Sequence, residues 1–516
     1  MVKVAIIDDG VGQGVYGDFD LADNIEITEQ LEVLDGNDRY IFNRSHGTIC
    51  AAIIKKYFND AIISSVKILN YESHKSTKNQ LIKAVEWCIL NNIDVINMSL
   101  GTIDYRDFDE VKNIVDTAFE KGIIIVAACN NKNIYTCPAS FNNVIGVKST
   151  KARVLKEGEY IFNIYSIDGI EITACAEHRL LKNGVKREVT ASVNSYAAPM
   201  ITAEICKIKR RFPTLNFSGI KKNLYKNSCN YSKNINKVNN YINIDWMNNG
   251  VLLNLDNKEL KISSKYKIDE ISSIKDLNLN KYNTLIVLDS IIKEHEINRS
   301  ILEHLNKYNK NIIAIDEKHE DCESNMKLIS RCNNIWHPLL MEHFYESCLQ
   351  TKKIDIPIIV FYNYESDKEN MFMELVGNFN DKFRDNGYFS IGVSLSSIGI
   401  LNGFIYMSNS ANEEMKKIRH KIECIYAIYY CDVIVLEVKV DTKDIDYIKE
   451  FNKYINPDIS VFNSIKLVEN IKDLDSNEKY MILDKRELTN FSNLRFKIFQ
   501  YNELDLLYKE IVKNLL

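Results

Sequence analysis

The sequence predicts an α/β fold of mostly parallel sheets covered by helices, and two observations lead to that prediction. Short apolar runs alternate along the chain with stretches in which apolar residues recur every three or four positions, as on one face of a helix. The runs themselves are apolar on consecutive residues, which is typical of strands buried on both faces. Strand and helix in alternation build parallel sheets, because each parallel connection needs a crossover.

The elements can be assigned in order along the chain. In the first part, strands are predicted over residues 2–7, 62–69, 95–98, 123–128 and 144–147. Helices are predicted there over residues 48–58, 79–91, 109–121 and 195–210. The same rhythm returns later, with strands predicted over 284–288, 311–315, 357–361, 432–438 and 480–483. We therefore expect one α/β domain followed by one or two more, of a Rossmann-like kind.

Glycine usage and polarity suggest where the domains end. Residues 1–212 hold 12 of the 19 glycines, so this part needs tight turns and close backbone approach more often than the rest. Residues 213–245 are rich in Asn, Lys and Ser and lack a sustained apolar period, which predicts a linker. A weaker break near residue 351 divides the remainder into domains over 246–350 and 351–516.

Composition excludes several classes of protein. A net charge of −5 and a pI near 6.1, without a long basic run, predict no nucleic-acid partner. Apolar runs far shorter than the roughly 20 residues of a membrane span predict no membrane partner. The 12 cysteines are scattered, without the paired spacing of a disulfide framework or a zinc site, and nothing marks the chain for export. We expect a soluble cytoplasmic protein with free thiols.

Four polar residues stand at the ends of predicted elements in the first part. Asp8 follows a buried strand, at the carboxyl end where α/β proteins place their sites. His46 and Ser195 each stand at the start of a predicted helix, and Asn130 follows the strand over 123–128. Taken singly, they are explained as a turn-capping acid, a structural histidine, a helix N-cap and a turn amide. Taken together, they supply an acid, a base, a nucleophile and an oxyanion donor.

These segments resemble, in order and content, the signatures of the subtilases, the subtilisin-like serine peptidases. Asp-Asp-Gly at 8–10 matches the family's acid motif, and His-Gly-Thr at 46–48 matches its histidine motif. Asn-Ser-Tyr-Ala-Ala-Pro at 194–199 matches its Thr-Ser-x-Ala-x-Pro except at the first residue. Segments 97–101 and 127–130 resemble its substrate-binding strand and its Ala-Ala-Gly-Asn. The chain order Asp, His, Ser is that of subtilisin.

The resemblance implies a serine endopeptidase with a subtilisin-like sheet. It implies that Ser195 attacks the peptide carbonyl, that His46 takes its proton and that Asp8 holds the imidazole. Asp8 is preferred to Asp9 on the family's pattern alone, because successive side chains of a strand point to opposite faces. Asn130 and the backbone N–H of Ser195 are implied as oxyanion donors. The implied substrate-binding residues are Ser99, Leu100, Gly101, Ala127 and Ala128.

Three residues depart from the family's pattern. Val193 and Cys129 stand where the family usually has glycine, and Asn194 replaces its threonine. None of these changes removes a reacting group, but we expect an altered backbone beside the nucleophile and along one wall of the first specificity pocket. The rival interpretation is therefore a subtilase fold that has lost activity and escorts peptides instead of cutting them.

The family often carries an inhibitory prosegment, and here the Asp8 strand begins at Met1. We therefore expect the activity to be restrained by a narrow substrate requirement instead.

The second half resembles α/β accessory proteins that accompany subtilases in bacterial systems maturing ribosomally made peptides. The predicted substrate is thus a precursor peptide that loses its leader, and maturation-system proteins are possible partners.

Residues 356–368 run from a strand into a loop without the glycines and the Gly-Lys-Ser/Thr that hold phosphates, which predicts a degenerate P-loop-like domain without nucleotide. His337, His343 and Cys348 lack a close ligand pair, so packed or solvated side chains are preferred to zinc. The chain also lacks an acidic loop with calcium-ligand spacing. We predict no metal and no cofactor.

Overall fold

The computed structural model describes the chain except for residues 13, 18, 37–44, 71, 72, 74, 151–153, 234–240, 256, 258, 259, 261, 264, 265, 289–300, 302, 304, 306, 309, 316–331, 365–368, 409–414, 441–444, 465–477, 484–495 and 516. The chain divides into two compact units, Met1–Asn239 and Asn240–Leu516. Within the described residues, none of the helices combines the length and the apolar character that a membrane span requires.

A nine-stranded sheet is the centre of the first unit. Its strands are β1 (Val2–Asp8), β2 (Leu21–Ile27), β3 (Val33–Asp35), β4 (Ala61–Lys67), β5 (Val95–Met98), β6 (Ile124–Ala128), β7 (Val144–Ser149), β8 (Tyr160–Phe162) and β9 (Ile172–Ala174). They lie in the order β3-β2-β4-β1-β5-β6-β7-β9-β8, and only the β2/β3 and β8/β9 pairs are antiparallel. A hairpin of β10 (Arg179–Lys182) and β11 (Lys186–Val189) follows.

Helices cover both faces of this sheet. They are α1 (His46–Tyr57), α2 (Lys78–Leu90), α3 (Phe108–Glu120), α4 (Asn194–Arg211) and α5 (Phe217–Asn227). The apolar run of β1 is continuous because both of its faces are buried. Val4 and Ile6 pack in the core beneath α1 and α4, whereas Ala5 and Ile7 pack in the core beneath α2 and α3. Such two-sided burial is what consecutive apolar residues indicate, so the predicted α/β class is confirmed.

The segment that we predicted as a linker, residues 213–245, differs in the structure. It contains α5, whose buried Ile220 and Leu224 pack into the first unit's core. The fully buried ammonium of Lys221 also pairs with the buried carboxylate of Glu171. The few apolar residues of α5 are separated by Asn and Lys, so the polarity of the segment alone suggested a linker.

The second unit contains two further parallel sheets. The strands of the first are β12 (Gly250–Leu253), β13 (Ile268–Ile271), β14 (Thr284–Leu288), β15 (Asn311–Ile315) and β16 (Ile335–Trp336), in the order β13-β12-β14-β15-β16. Those of the second are β17 (Ile358–Tyr364), β18 (Ser390–Ser394), β19 (Ile405–Tyr406), β20 (Val433–Val440), β21 (Ile459–Phe462), β22 (Glu478–Leu483) and β23 (Lys497–Gln500), in the order β19-β18-β20-β17-β21-β22-β23. The described helices of this unit are α6 (Pro338–Glu346), α7 (Glu369–Asp385), α8 (Met415–Tyr429), α9 (Ile445–Ile455) and α10 (Leu504–Leu515). The two sheets fall on either side of the predicted boundary near residue 351.

Candidate active site

Two adjacent acids at the end of β1 make different contacts with the start of α1. The carboxylate of Asp8 is fully buried and lies 2.8 Å and 3.0 Å from Nδ1 of His46. The carboxylate of Asp9 accepts hydrogen bonds from the backbone N–H groups of His46 and Gly47, at 2.9 Å and 2.8 Å. Asp8 therefore orients the imidazole, whereas Asp9 caps the helix that carries it.

Close packing between the end of β1 and the start of α1 requires glycine. A Cβ atom on Gly47 would lie 2.5 Å from the carbonyl oxygen of Gly10 and 3.1 Å from Cβ of Asp8. Ser45 reinforces the contact, because its hydroxyl donates to the Gly10 carbonyl at 2.7 Å and accepts from the Thr48 N–H at 3.1 Å. Close packing thus explains the glycine at position 47, whereas Gly10 has φ +101°, a backbone conformation that favours glycine.

Ser195 is the second residue of α4, next to the neighbouring strand ends. Its backbone carbonyl accepts a hydrogen bond from the hydroxyl of Ser99 at 2.8 Å, which ties α4 to the segment after β5. The Ser195 N–H is one of the first four N–H groups of α4. These groups have no partner within the helix and form the positive end of its dipole. Among the described residues, the hydrogen bonds of Ser195 are made by its backbone and none joins its hydroxyl to His46; such contacts often tighten only with substrate bound.

Val193 and Cys129 are the two residues that stand in place of the family's glycines. Val193 precedes α4 with φ −128° and ψ 152°, an extended conformation open to any residue, so glycine is not required there. Cys129 is buried in the apolar cluster under α2 and α3, and its sulphur contacts the Ile134 carbonyl at 3.5 Å. Val193 therefore adopts an ordinary extended conformation, and the Cys129 side chain packs into the core.

The His46 imidazole is enclosed by groups that favour its charged form. Tyr196 stacks on it with a centroid distance of 5.0 Å, and the buried Cys50 sulphur lies 3.9 Å from Nδ1. Burial lowers the pKa of His46, but interactions with Cys50 and Asp8 outweigh that effect and raise it above the ordinary value. Burial also raises the pKa of the Cys50 thiol.

Asn130 follows β6 and is partly exposed. Its side-chain oxygen accepts from the Lys132 N–H at 2.7 Å, and its own N–H donates to the Thr136 hydroxyl at 3.0 Å. Both hydrogen bonds stabilise the turn after β6, and only the first involves the carboxamide, through its oxygen. The amide nitrogen is the atom that an oxyanion donor uses.

A groove of about 670 Å³ begins at His46 and runs along the segment after β5. The predicted substrate-binding residues Ser99, Leu100 and Gly101 line it. Leu69, Leu81, Ile103 and Val111 make much of the rest apolar, and Lys75, Lys78 and Asp107 add charge. Ala127 and Ala128 do not line this groove and are buried in β6.

Three residues that we considered as zinc ligands have other contacts. His337 caps α6 by accepting from the Leu339 N–H at 3.1 Å, and His343 lies 3.3 Å from Glu346. The Cys348 sulphur lies 3.0 Å from the Gln350 carbonyl. In the phosphate-loop-like segment 356–368, β17 extends past Phe361 to Tyr364, and residues 365–368 lie outside the described residues.

Two further residues near Ser195, Asn194 and His178, were not predicted as site residues. Asn194 is buried and makes several hydrogen bonds with its carboxamide. His178 is fully buried between Tyr57 at the end of α1 and the backbone carbonyl of Tyr196. The replacement of threonine by Asn194 was a usable signal, whereas nothing local marks His178, because its partners are 121 and 18 residues away.

Comparison with known proteins agrees with this geometry. Residues 1–243 match the family model described as Subtilase family. Subtilisin DY from Bacillus licheniformis is 24% identical over 261 residues, which are 47% of this chain and 89% of that protein. The minor extracellular protease Epr from Bacillus subtilis (strain 168) is 26% identical over 243 residues, 44% of this chain and 35% of Epr. A solved structure of a lanthipeptide protease covers 46% of this chain and 83% of its own, with 16% identity and a TM-score of 0.36.

The match with the subtilase model covers the whole nine-stranded sheet and both helices that begin at His46 and Asn194. The first unit of this protein, Met1–Asn239, therefore lies within the segment, residues 1–243, that matches the subtilase family.

Proposed function

We propose that Asp8, His46 and Ser195 are the catalytic triad of this domain. The observation that carries the proposal is the 2.8 Å contact between Asp8 and Nδ1 of His46, with Tyr196, the residue after Ser195, stacked on the same imidazole. With Asp8 accepting the Nδ1–H, Nε2 is the nitrogen left to take a proton. The same contact with Asp8 stabilises the imidazolium that forms when Nε2 takes the proton.

In the proposed reaction, the Ser195 hydroxyl attacks the scissile carbonyl while its proton moves to Nε2 of His46. The same proton passes to the leaving amine as the C–N bond breaks, which leaves an acyl-enzyme. Water, deprotonated by His46, then releases the acid and restores Ser195. Negative charge on the carbonyl oxygen is held by the Asn130 amide and the Ser195 N–H.

Substrate is proposed to bind as an added strand along the segment 99–101, with its side chains in the groove beside it. We further propose that the natural substrate is a ribosomally made precursor peptide, cleaved in the cytoplasm after its leader. A second unit of 240–516, with sheets of its own, supports recognition of more than the residues around the scissile bond. The eleven described cysteines that are free thiols support a reducing compartment.

The triad is tested by Ser195→Ala and His46→Ala, assayed with a fluorogenic peptide and a fluorophosphonate probe. We expect each to lower kcat by several orders of magnitude, because triad members act as a unit, and Ser195→Ala to lose labelling entirely. Ser192→Ala and His343→Ala change exposed residues of the same types and serve as controls. Full turnover or full labelling in Ser195→Ala would refute the assignment.

The proposed substrate is tested by incubating the enzyme with the ribosomally made precursor peptides of its own organism and locating cleavage by mass spectrometry. A single cut between leader and core is expected. Cleavage at many sites in unrelated unfolded proteins, at comparable rates, would instead indicate general protein turnover.

A further inference from the structure

Asn194, the residue before the proposed nucleophile, is 3% exposed and joins three segments of the chain. Its Oδ1 accepts from both the backbone N–H and the hydroxyl of Ser149 at the end of β7, at 2.7 Å and 2.8 Å. Its Nδ2 donates to the carbonyls of Cys129 and Asn130 at 3.1 Å and 2.9 Å, and contacts Oδ1 of Asn133 at 3.0 Å.

The carboxamide of Asn194 is therefore fully used. Its oxygen has two acceptor sites and faces two donors, whereas its nitrogen has two hydrogens and faces three acceptors. This arrangement also fixes which end is oxygen and which is nitrogen. The side chain has no polar hydrogen left over for a substrate, so any part that it plays in the reaction must act through its partners.

Asn194 is connected to both residues that carry the proposed oxyanion donors. One proposed donor is the side chain of Asn130. The backbone carbonyl of the same residue accepts a hydrogen bond from Nδ2 of Asn194. The other is the N–H of Ser195, the residue covalently attached to Asn194. A further bond joins the Asn194 N–H to Oδ1 of Asn131 at 3.2 Å. Asn194 thus links the turn that carries one donor to the helix start that carries the other.

We propose that Asn194 is a positioning residue that sets the separation between the Asn130 amide and the Ser195 N–H. This inference rests on the proposed function, in which those two groups bind the oxyanion. An oxyanion site depends on donors placed within a few tenths of an ångström before reaction, so a link of this kind affects kcat more than substrate binding.

Threonine, the usual residue of the family, cannot form this link. Its hydroxyl supplies one hydrogen and lies closer to its own backbone than a carboxamide nitrogen, so it reaches at most one of the carbonyls of Cys129 and Asn130. The N–H of Ser149 would also lose its buried acceptor. In this chain, Asn194→Thr should therefore loosen the turn at 129–133 relative to α4.

The test is a double-mutant cycle between Asn194→Thr and Asn130→Ala, with kcat and KM measured on a fluorogenic peptide. Active enzyme is titrated with the fluorophosphonate probe. Asn130→Ala alone should lower kcat by about 10²–10³, the magnitude typical of one oxyanion donor. Asn194→Thr alone should lower kcat by about 10-fold with little change in KM. In the Asn130→Ala background, the same change should cost no more than about 2-fold.

Equal losses in both backgrounds, or an unchanged kcat in Asn194→Thr, would overturn the proposal. Asn59→Thr, the same substitution at an exposed residue after α1, is the control for the exchange itself. If Asn194→Thr does not fold, as judged by thermal unfolding, Asn131→Ala removes the bond to the Asn194 N–H at an exposed position, and the same non-additivity decides. Loss of labelling in Ser195→Ala reports on the triad separately.

Discussion

At the scale of the residue, neighbouring side chains of like chemistry divide the work of the candidate site. Asp8 and Asp9 are adjacent acids, yet one contacts the imidazole and the other caps the helix backbone. Their separation follows from the alternation of side chains along an extended strand. Sequence pattern selected Asp8, and its contact with His46 supplies the physical reason for that choice.

The buried His178 predicts how stability depends on pH. Burial lowers its pKa to about 4, although the hydrogen bond to Tyr196 and the charge of Glu157 act in the opposite direction; Lys56 lowers it slightly more. Between pH 6.5 and 4 the unfolded chain takes up a proton at this residue and the folded chain does not. Unfolding free energy should therefore fall as pH decreases through that window, by about 3 kcal/mol from this group.

Urea unfolding at pH 7 and pH 4.5 measures the effect. His178→Gln keeps an amide hydrogen for the Tyr196 carbonyl but cannot titrate, so its acid sensitivity should be smaller than that of the unchanged protein. His343→Gln, at an exposed residue of α6, provides the comparison. An identical loss of stability on acidification in His178→Gln would contradict the assignment.

At the scale of the element, the site depends on how closely α1 approaches the end of β1. The first turn of α1 is capped by Ser45 and Asp9, and the buried run from Ile49 to Ile54 holds the helix on the sheet. Gly47 allows this approach because its neighbours leave no room for a Cβ atom. The direction of the His46 ring is thus a consequence of helix packing.

Gly47→Ala should separate α1 from β1. The added Cβ would meet the Gly10 carbonyl, a backbone atom that cannot turn aside, so we expect a loss of about 1–3 kcal/mol in unfolding free energy. A lower kcat should accompany that loss, because His46 moves relative to Asp8. Gly377→Ala in α7 is the matched control, since its Cβ would meet nothing closer than 3.9 Å and alanine favours the helix by up to about 1 kcal/mol. Chemical denaturation and peptide turnover of both variants provide the comparison.

At the scale of the whole molecule, the first unit ends at Asn239 and not at residue 212, where the first domain was predicted to end. Helix α5 buries Leu224 and the Lys221 ammonium in the first unit, so a fragment that stops at 212 would expose a core surface and lose a buried ion pair. A fragment of residues 1–245 keeps these contacts. We expect the longer fragment to fold and react with a fluorophosphonate probe, and the shorter one to aggregate or unfold at lower temperature.

The longer fragment also tests the proposed role of residues 246–516. If they bind a distant part of the substrate, linking two weak contacts raises the effective concentration of the scissile segment to about the millimolar range. Removing them should then reduce cleavage of a full precursor at least about 10-fold while leaving cleavage of a short peptide nearly unchanged. Equal losses on both substrates would show that these residues only support the fold.

The sequence by itself determined the α/β class, the central strands and the identity of the triad candidates. These features are local: continuous apolar runs report two-sided burial, and the motifs at 8–10, 46–48 and 194–199 combine a reactive residue with a small residue beside it. The central strands of the second unit were likewise marked by their apolar runs, so β14 and β15 begin and end where predicted.

Tertiary structure decided what depends on distant partners. The side chain of Asn194 forms hydrogen bonds with residues that are 45 positions and 61 to 65 positions away in the sequence. His178 forms a hydrogen bond with Tyr57, which is 121 positions away. The placement of α5 was also hidden, because its apolar face is short and becomes visible only against the core that receives it. A sequence pattern reports the period of one element, whereas packing between elements determines which polar groups are brought together and buried.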